Sequence, residues 1–185
     1  MRVLVTGGVR SGKSAHAERL LDGAGAVTYV APGPTTQEDS DPDWAARILA
    51  HQRRRPDTWT TLESRDLPGA LGTPGPVLLD CLGTWLTGHL DSAGLWDAPS
   101  EVVRGAVRRQ LAAAVQVLAE RPRQPADSAD RDVDLVLVTN EVGLGVVPEH
   151  RSGRLFRDLL GEVNQVIAGE CDEVHLVVAG RVLIL

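Results

Sequence analysis

Lysine is almost absent from this chain: of 19 basic residues, 18 are arginine and only Lys13 is a lysine. Aromatic residues make up 3% of the sequence, and there are two cysteines. No apolar run approaches the roughly 20 residues that span a bilayer, so no membrane span is expected. Cys81 and Cys171 fall in no CxxC or metal-like spacing, which leaves them as buried thiols. Clustered positive charge is missing too. The formal net charge is -6, and phosphate-backbone binding needs a basic surface, so a small-molecule partner is expected and nucleic acid is not. Met1-Arg2 runs directly into Val3-Leu4-Val5 without the n-region, h-region or cleavage site of a signal peptide, and a cytoplasmic location is expected. The arginine bias, with abundant Ala, Gly and Pro, fits a GC-rich coding sequence. A lysine that survives such a bias has a chemical reason to be there.

What is present is an alternation. Ala, Val, Leu and Gly dominate, 43% of the chain is hydrophobic, and 185 residues suit a single domain. Val3–Thr6 reads as a short buried strand, Lys13–Leu21 as a helix, Val27–Ala31 as a strand and Asp43–Gln52 as a helix. Val77–Asp80 is a further strand and Leu82–Leu90 a helix. Ser100–Glu120 is the longest helix, with Ser100 its expected N-cap. Asp134–Thr139, the helix Arg154–Ala168, the strand Glu173–Ala179 and a last strand at Val182–Leu185 complete the pattern. Residues 32–42 and 121–131 are rich in Pro and charge and read as mobile loops. Alternating strands and helices predict an α/β fold, a mostly parallel sheet flanked by helices, with ligands at the carboxyl ends of the strands.

The segment Gly7-Gly8-Val9-Arg10-Ser11-Gly12-Lys13-Ser14 satisfies G-x-x-x-x-G-K-[ST] between a buried strand and a helix. Glycines let the backbone wrap a phosphate, amide N–H groups and the helix start supply donors, and Lys13 adds a point charge for the β- and γ-oxygens. Ser14 would hold Mg²⁺. A P-loop protein also needs a carboxylate at a neighbouring strand end. Asp80 is the first candidate, either holding the metal through water or forming a strand-end turn, and Glu141 is the second. Asn140 and Glu141 directly follow a strand, where ligands or a turn are both expected. Arg10 could reach phosphate or a carboxylate. Trp44 and Trp59 either stack on a ligand or pack in the core.

A P-loop leaves kinase, ATPase, GTPase and motor open, and the remaining motifs narrow the choice. Arg47 to Pro56 (Arg-Ile-Leu-Ala-His-Gln-Arg-Arg-Arg-Pro) with Trp59 and Glu63, Asp80-Cys81-Leu82 with Thr84-Trp85-Leu86, Thr139-Asn140-Glu141-Val142-Gly143 with Val147-Pro148-Glu149, Phe156-Arg157-Asp158, Asn164-Gln165 and Asp172-Glu173-Val174 occur in order along the chain. Together with the P-loop they resemble the bifunctional adenosylcobinamide kinase/adenosylcobinamide-phosphate guanylyltransferase family. That resemblance implies phosphorylation of the amino-alcohol hydroxyl of adenosylcobinamide by ATP or GTP, with Mg²⁺. It then implies transfer of GMP from GTP to adenosylcobinamide phosphate through a guanylylated histidine. His51 matches that histidine, and Lys13 with His51 form the implied catalytic pair. Gly7, Gly8, Val9, Arg10, Ser11, Gly12, Lys13, Ser14, Glu63 and Asp80 are the implied nucleotide-binding residues, with Ser14 and Asp80 toward the metal. A homotrimer is implied as well.

Residue chemistry agrees with that role for His51. A neutral imidazole is nucleophilic near pH 7, and a phosphoramidate stores reactivity for the next acceptor. Arg53, Arg54 and Arg55 offer planar forks for phosphate oxygens or form a solvated helix end. His16, His89, His150 and His175 show no paired ligand spacing. The family usually has a short acidic stretch leading to Glu-Met before its histidine, whereas this chain inserts Pro32-Gly33-Pro34-Thr35-Thr36 and reads Asp43-Trp44. His150 stands where a small polar residue is usual, and Ser152-Gly153 weakens the start of the adjoining helix. A plain small-molecule kinase and a nucleotide-switched binding module remain the alternatives.

Overall fold

The computed structural model describes residues 1–122 and 133–185. Seven strands form one sheet: β1 (Arg2–Gly7), β2 (Thr28–Ala31), β3 (Thr60–Glu63), β4 (Val77–Asp80), β5 (Leu135–Val138), β6 (Glu173–Val178) and β7 (Arg181–Ile184), in the order β3-β2-β4-β5-β1-β6-β7. Every pairing is parallel except that of β6 with β7, which is antiparallel. Helices are α1 (Lys13–Arg19), α2 (Pro42–Arg54), α3 (Leu67–Leu71), α4 (Leu82–Ser92), α5 (Ser100–Glu120) and α6 (Arg151–Ala168). The α/β reading of the sequence therefore holds.

The central strands are mostly apolar because both sheet faces are covered, with Arg2 and Thr6 on β1 and Asp80 at the end of β4 as the polar exceptions, and their side chains split by period two. Leu4 of β1, Val77 and Leu79 of β4, and Leu135 and Leu137 of β5 enter a core with α3, α4, α5 and α6. Val3, Val5, Leu78, Val136 and Val138 point the other way, into a smaller core closed by Ala17 and Leu21 at the α1 side. The faces are unequal: four helices cover one, and on the other α1 packs closely while α2 buries no residue at all.

Four features differ from the sequence expectation. β3 reads Thr-Thr-Leu-Glu, with all four residues exposed, so no hydrophobic alternation marks it; only pairing with β2 makes it a strand. The α3 helix is five residues long and contains Pro68 and Gly69, and it starts where Asp66 accepts the Gly69 N–H at 3.1 Å. Ser100 is not an N-cap: Pro99 occupies that place without a side-chain bond, and Ser100 is the first helical residue. The last helix begins at Arg151, three residues ahead of expectation, despite Ser152-Gly153. Its first turn is anchored by the Arg151 guanidinium, which donates to the carbonyls of Trp96 and Ala98.

The 32–42 stretch, expected as a mobile loop, is tied down at several points. Trp44 Nε1 donates to Pro34 O at 2.8 Å, and the Arg65 guanidinium holds both Glu38 oxygens at 2.8 and 3.0 Å. Of the 121–131 loop, Arg121 and Pro122 are described and the rest lies outside the described residues. Cys81 is buried as a free thiol and Cys171 is half-buried.

Leu111 faces the larger core at 2% exposure, while Val102 on the same helix is 54% exposed. Leu111→Ala is expected to cost about 2–5 kcal/mol through lost contact and a residual cavity, and Val102→Ala less than about 0.5 kcal/mol. Urea unfolding at constant m-value measures both.

Candidate active site

The phosphate loop leaves the carboxyl end of β1 and turns back into α1. At Gly7 (φ 155°) a Cβ would lie 2.4 Å from the carbonyl oxygen of Val177 on β6, so only glycine permits this approach. Gly12 (φ 95°) caps α1 in the left-handed region, where a side chain is strained. The loop is braced by Gly180 N–H to Ser11 O at 2.8 Å, Glu141 N–H to Gly7 O at 3.1 Å and Ser11 N–H to Gly8 O at 3.3 Å. Lys13 is 6% exposed, and its Nζ donates back across the loop to Gly8 O at 3.1 Å. Burial pulls its pKa below the usual lysine value, with the Asp80 carboxylate opposing. The Ser11 hydroxyl is buried without a partner among the described residues. Such a loop holds a cation and backbone donors together at the start of a helix, which is the requirement for gripping phosphate.

Asp80 ends β4, and its Oδ2 accepts the Tyr29 hydroxyl at 3.3 Å. Strand β5 alone separates β4 from β1 in the sheet. Tyr29 is buried on β2, and burial with the nearby Asp80 charge pushes its pKa well up, so it stays a neutral donor. Sequence reading missed Tyr29 because a tyrosine in an apolar strand reads as core. Only the β2–β4 pairing shows its hydroxyl reaching a carboxylate.

His51 rides on α2, whose start is set by Pro42 in the first turn and by Asp41, which accepts the Asp43 N–H at 3.0 Å. Basic His51, Arg53 and Arg54 at the helix end suit its dipole. Having no buried residue, α2 is held by polar contacts. Arg54 forks onto Glu18 of α1 at 2.9 and 3.0 Å. Arg55 lies 3.5 Å over the Tyr29 ring and donates to Thr61 of β3 at 2.7 Å. These contacts bring His51 Nδ1 to 3.3 Å from Arg54 Nη2, 3.4 Å from the Tyr29 hydroxyl and 3.7 Å from Asp80 Oδ2. Burial lowers the His51 pKa; Asp80 opposes that and Arg54 adds to it. The net direction is toward a neutral ring at physiological pH.

Lys13, Ser14, His51, Glu63 and Asp80 line one cavity of about 220 Å³, with Val9, Tyr29, Trp44, Ile48, Thr84 and Asn140 among its other walls. Glu63 stands at its rim, on the exposed edge strand. A second cavity, of about 710 Å³, opens on Arg10 to Ser14 and on the other side of α2. Glu141 lines neither cavity; its carboxylate accepts the Gly143 N–H at 2.7 Å in a turn. Its neighbour Asn140 faces the first cavity instead. Trp59 packs against the smaller core. His16 bonds His175 at 2.8 Å, and His89 stacks on Trp85, so neither approaches the site.

Comparison with known proteins gives one consistent picture. The family model described as cobinamide kinase / cobinamide phosphate guanyltransferase matches residues 3–185. The bifunctional adenosylcobalamin biosynthesis protein CobU of Salmonella typhimurium is 41% identical over 97% of both chains, and the CobU of Escherichia coli is 42% identical over 97% of both. The bifunctional adenosylcobalamin biosynthesis protein CobP of Pseudomonas aeruginosa is 37% identical over 97% of this chain and 94% of its own. With a match that extends across the phosphate loop, α2 and the strand ends of the cavity, this chain belongs to the cobinamide kinase / cobinamide phosphate guanyltransferase family.

Proposed function

We propose that this protein phosphorylates the amino-alcohol hydroxyl of adenosylcobinamide and then transfers GMP from GTP to the phosphate so formed, releasing pyrophosphate. Both activities reside in one P-loop domain spanning residues 1–185. The observation that carries the reading is the meeting, in one cavity, of a phosphate-gripping lysine with a histidine kept neutral by burial. A plain kinase needs the first and has no use for the second.

In the kinase step Lys13 and the loop amides stabilise charge on the transferring γ-phosphoryl group of ATP or GTP. In the guanylyl step the His51 ring attacks the α-phosphorus of GTP, and the loop steadies the departing pyrophosphate. Asp80 beside the ring offsets the positive charge that the imidazole acquires on attack. The donor set near the phosphates is a hydroxyl, Ser14, and a carboxylate, Asp80, of which only Oδ2 is engaged by protein among the described residues. That oxygen-only pair fits Mg²⁺, which keeps several waters and takes phosphate oxygens. When bound, Mg²⁺ would neutralise charge on the phosphates. Gly7, Gly8, Val9, Arg10, Ser11 and Gly12 belong to the phosphate cradle, and Glu63 to the nucleoside side. A cytoplasmic location completes the reading; no described helix is long and apolar enough to cross a membrane.

Incubation with α-labelled GTP and Mg²⁺ tests the central claim. Wild type acquires acid-labile, alkali-stable label; His51→Ala acquires none and keeps kinase activity. Lack of label on wild type would overturn the histidine intermediate. Lys13→Ala is expected to slow both activities by at least about 10²–10³-fold, the usual loss when one charge-stabilising donor is removed.

The His51 environment sets the acid limb of single-turnover guanylylation. Because the folded pKa lies below the ordinary 6.5, the ring stays neutral and reactive as pH falls through 6.5, and the rate midpoint lies lower than that value. Arg54→Ala removes a lowering influence, so its midpoint moves upward. A pH–rate series on both proteins reads the shift.

A homotrimer is part of the same proposal, supported by the apolar outer edge of β7. There Val182, Leu183, Ile184 and Leu185 are 39–69% exposed, a surface that association would cover. Sedimentation equilibrium is expected to give three times the chain mass, and a monomer mass would remove this element.

A further inference from the structure

Two cavities meet at α2, and they differ in character. Lys13, Ser14, Trp44, Arg47 and His51 belong to both. Beyond that shared wall, the smaller cavity is lined by Tyr29, Ala31, Ile48, the carboxylates Glu63 and Asp80, and Arg55, whose guanidinium is taken up by the Tyr29 ring and Thr61, a lining suited to a nucleoside. The larger cavity adds Arg10 and Arg54 over the bare backbone of the phosphate loop, with Asp41 and Asp43 as its only acids among the described residues. Asp41 is occupied in capping α2, and Arg54 is occupied by Glu18. Arg10 and Arg47 are exposed, and neither makes an ion pair among the described residues. Arg10 is also held in the left-handed region at φ 57°, where a non-glycine residue is uncommon.

We propose that the larger, arginine-lined cavity receives the phosphate monoester of the acceptor, with Arg47 and Arg10 as its anion contacts. This rests on the histidine intermediate proposed above. Displacement at phosphorus is in line: the entering group arrives opposite the group that leaves. When the neutral His51 ring nitrogen bonds the α-phosphorus, the bond from that phosphorus to the bridging oxygen breaks and pyrophosphate departs with the electron pair. In the second half-reaction an oxygen of the acceptor phosphate bonds the same phosphorus, the P–N bond breaks, and the pair returns to the imidazole. The acceptor oxygen must therefore enter where pyrophosphate left, on the phosphate-loop side of His51. The larger cavity is the opening onto that side. Guanidinium groups without counter-ions match a phosphate monoester there, because their planar forks take two oxygens at once. The nucleoside meanwhile keeps the smaller cavity, so the guanylyl group need not move between half-reactions.

Equilibrium binding of adenosylcobinamide phosphate and of unphosphorylated adenosylcobinamide to wild type, Arg47→Ala, Arg47→Lys and His51→Ala tests this. Arg47 is exposed on a helix that buries no residue, so its replacement leaves packing intact. Wild type and His51→Ala are expected to prefer the phosphate ester. Arg47→Ala is expected to weaken binding of the ester by about 10–100-fold, the worth of one charged hydrogen-bonding pair, and to leave the alcohol unaffected. Arg47→Lys recovers part of the loss. In the labelling assay Arg47→Ala loses more in discharge to the acceptor, at least about tenfold, than in charging with GMP. An undiminished phosphate preference in Arg47→Ala overturns the subsite, as does a defect confined to charging by GTP, which would assign Arg47 to the nucleotide. Wild type that never charges overturns the histidine reading alone, since the binding comparison still decides where the acceptor phosphate sits.

Discussion

The parallel pairing of β1, β5 and β4 is the constraint on which the rest of the molecule depends. Val5 of β1 and Asp80 of β4 both stand opposite Val138 of β5. Strands β4 and β5 therefore end at one level and β1 two residues beyond it at Gly7, and their outgoing segments emerge side by side: the phosphate loop after β1, Cys81 after Asp80 and Asn140 after Thr139. A one-residue slip would turn every side chain of a strand to the opposite face, moving Asp80 away from Lys13 and Tyr29. Both hydrophobic cores guard against that slip, because each strand sends alternate residues into a different one.

His51 depends on a different kind of support. Its helix lies on the thinly covered face of the sheet and contributes nothing to either core. The helix is held by an arginine fork on Glu18, an arginine over the Tyr29 ring and a tryptophan bond to the 32–42 stretch. Contacts of this type are individually modest in water, so the position of His51 is the product of several of them acting together. Their placement also decides its chemistry. The ring is buried enough to favour the neutral form, with Asp80 close enough to accommodate the charge it would gain in the proposed attack. The inserted Pro32–Thr36 residues serve this arrangement, since Pro34 supplies the carbonyl that Trp44 bonds.

Under the proposed function, a single anion seat serves two chemistries. The loop from Gly7 to Ser14 stabilises negative charge wherever it lies on a polyphosphate, and it does not distinguish a γ-phosphoryl group in transit from a pyrophosphate about to leave. What separates the two reactions in the proposed scheme is the group brought to the phosphorus: a substrate hydroxyl in one case and the His51 ring in the other. Lys13 is matched to both tasks by its desolvation, because a cation stripped of water gains more from an arriving phosphate than one that keeps its shell.

The primary sequence alone determined much of this protein. The glycine spacing around Lys13 can be read without coordinates because a phosphate loop is local: the contacts that shape it lie within a few residues or against adjacent strands. The α/β alternation is equally legible, since strands covered on both faces are predominantly apolar. Ser100, β3 and α3 escape a sequence reading because their states are set elsewhere, by a preceding proline, by an edge pairing with β2 and by a short cap at Asp66. Tyr29 reads as core and Glu141 as a rival to Asp80, yet the fold turns the first toward the carboxylate and uses the second in a turn. Only the tertiary structure decided which polar groups share a cavity with Lys13 and how far His51 is desolvated. Both depend on residues distant along the chain, which the sheet register and the polar docking of α2 bring within a few ångströms.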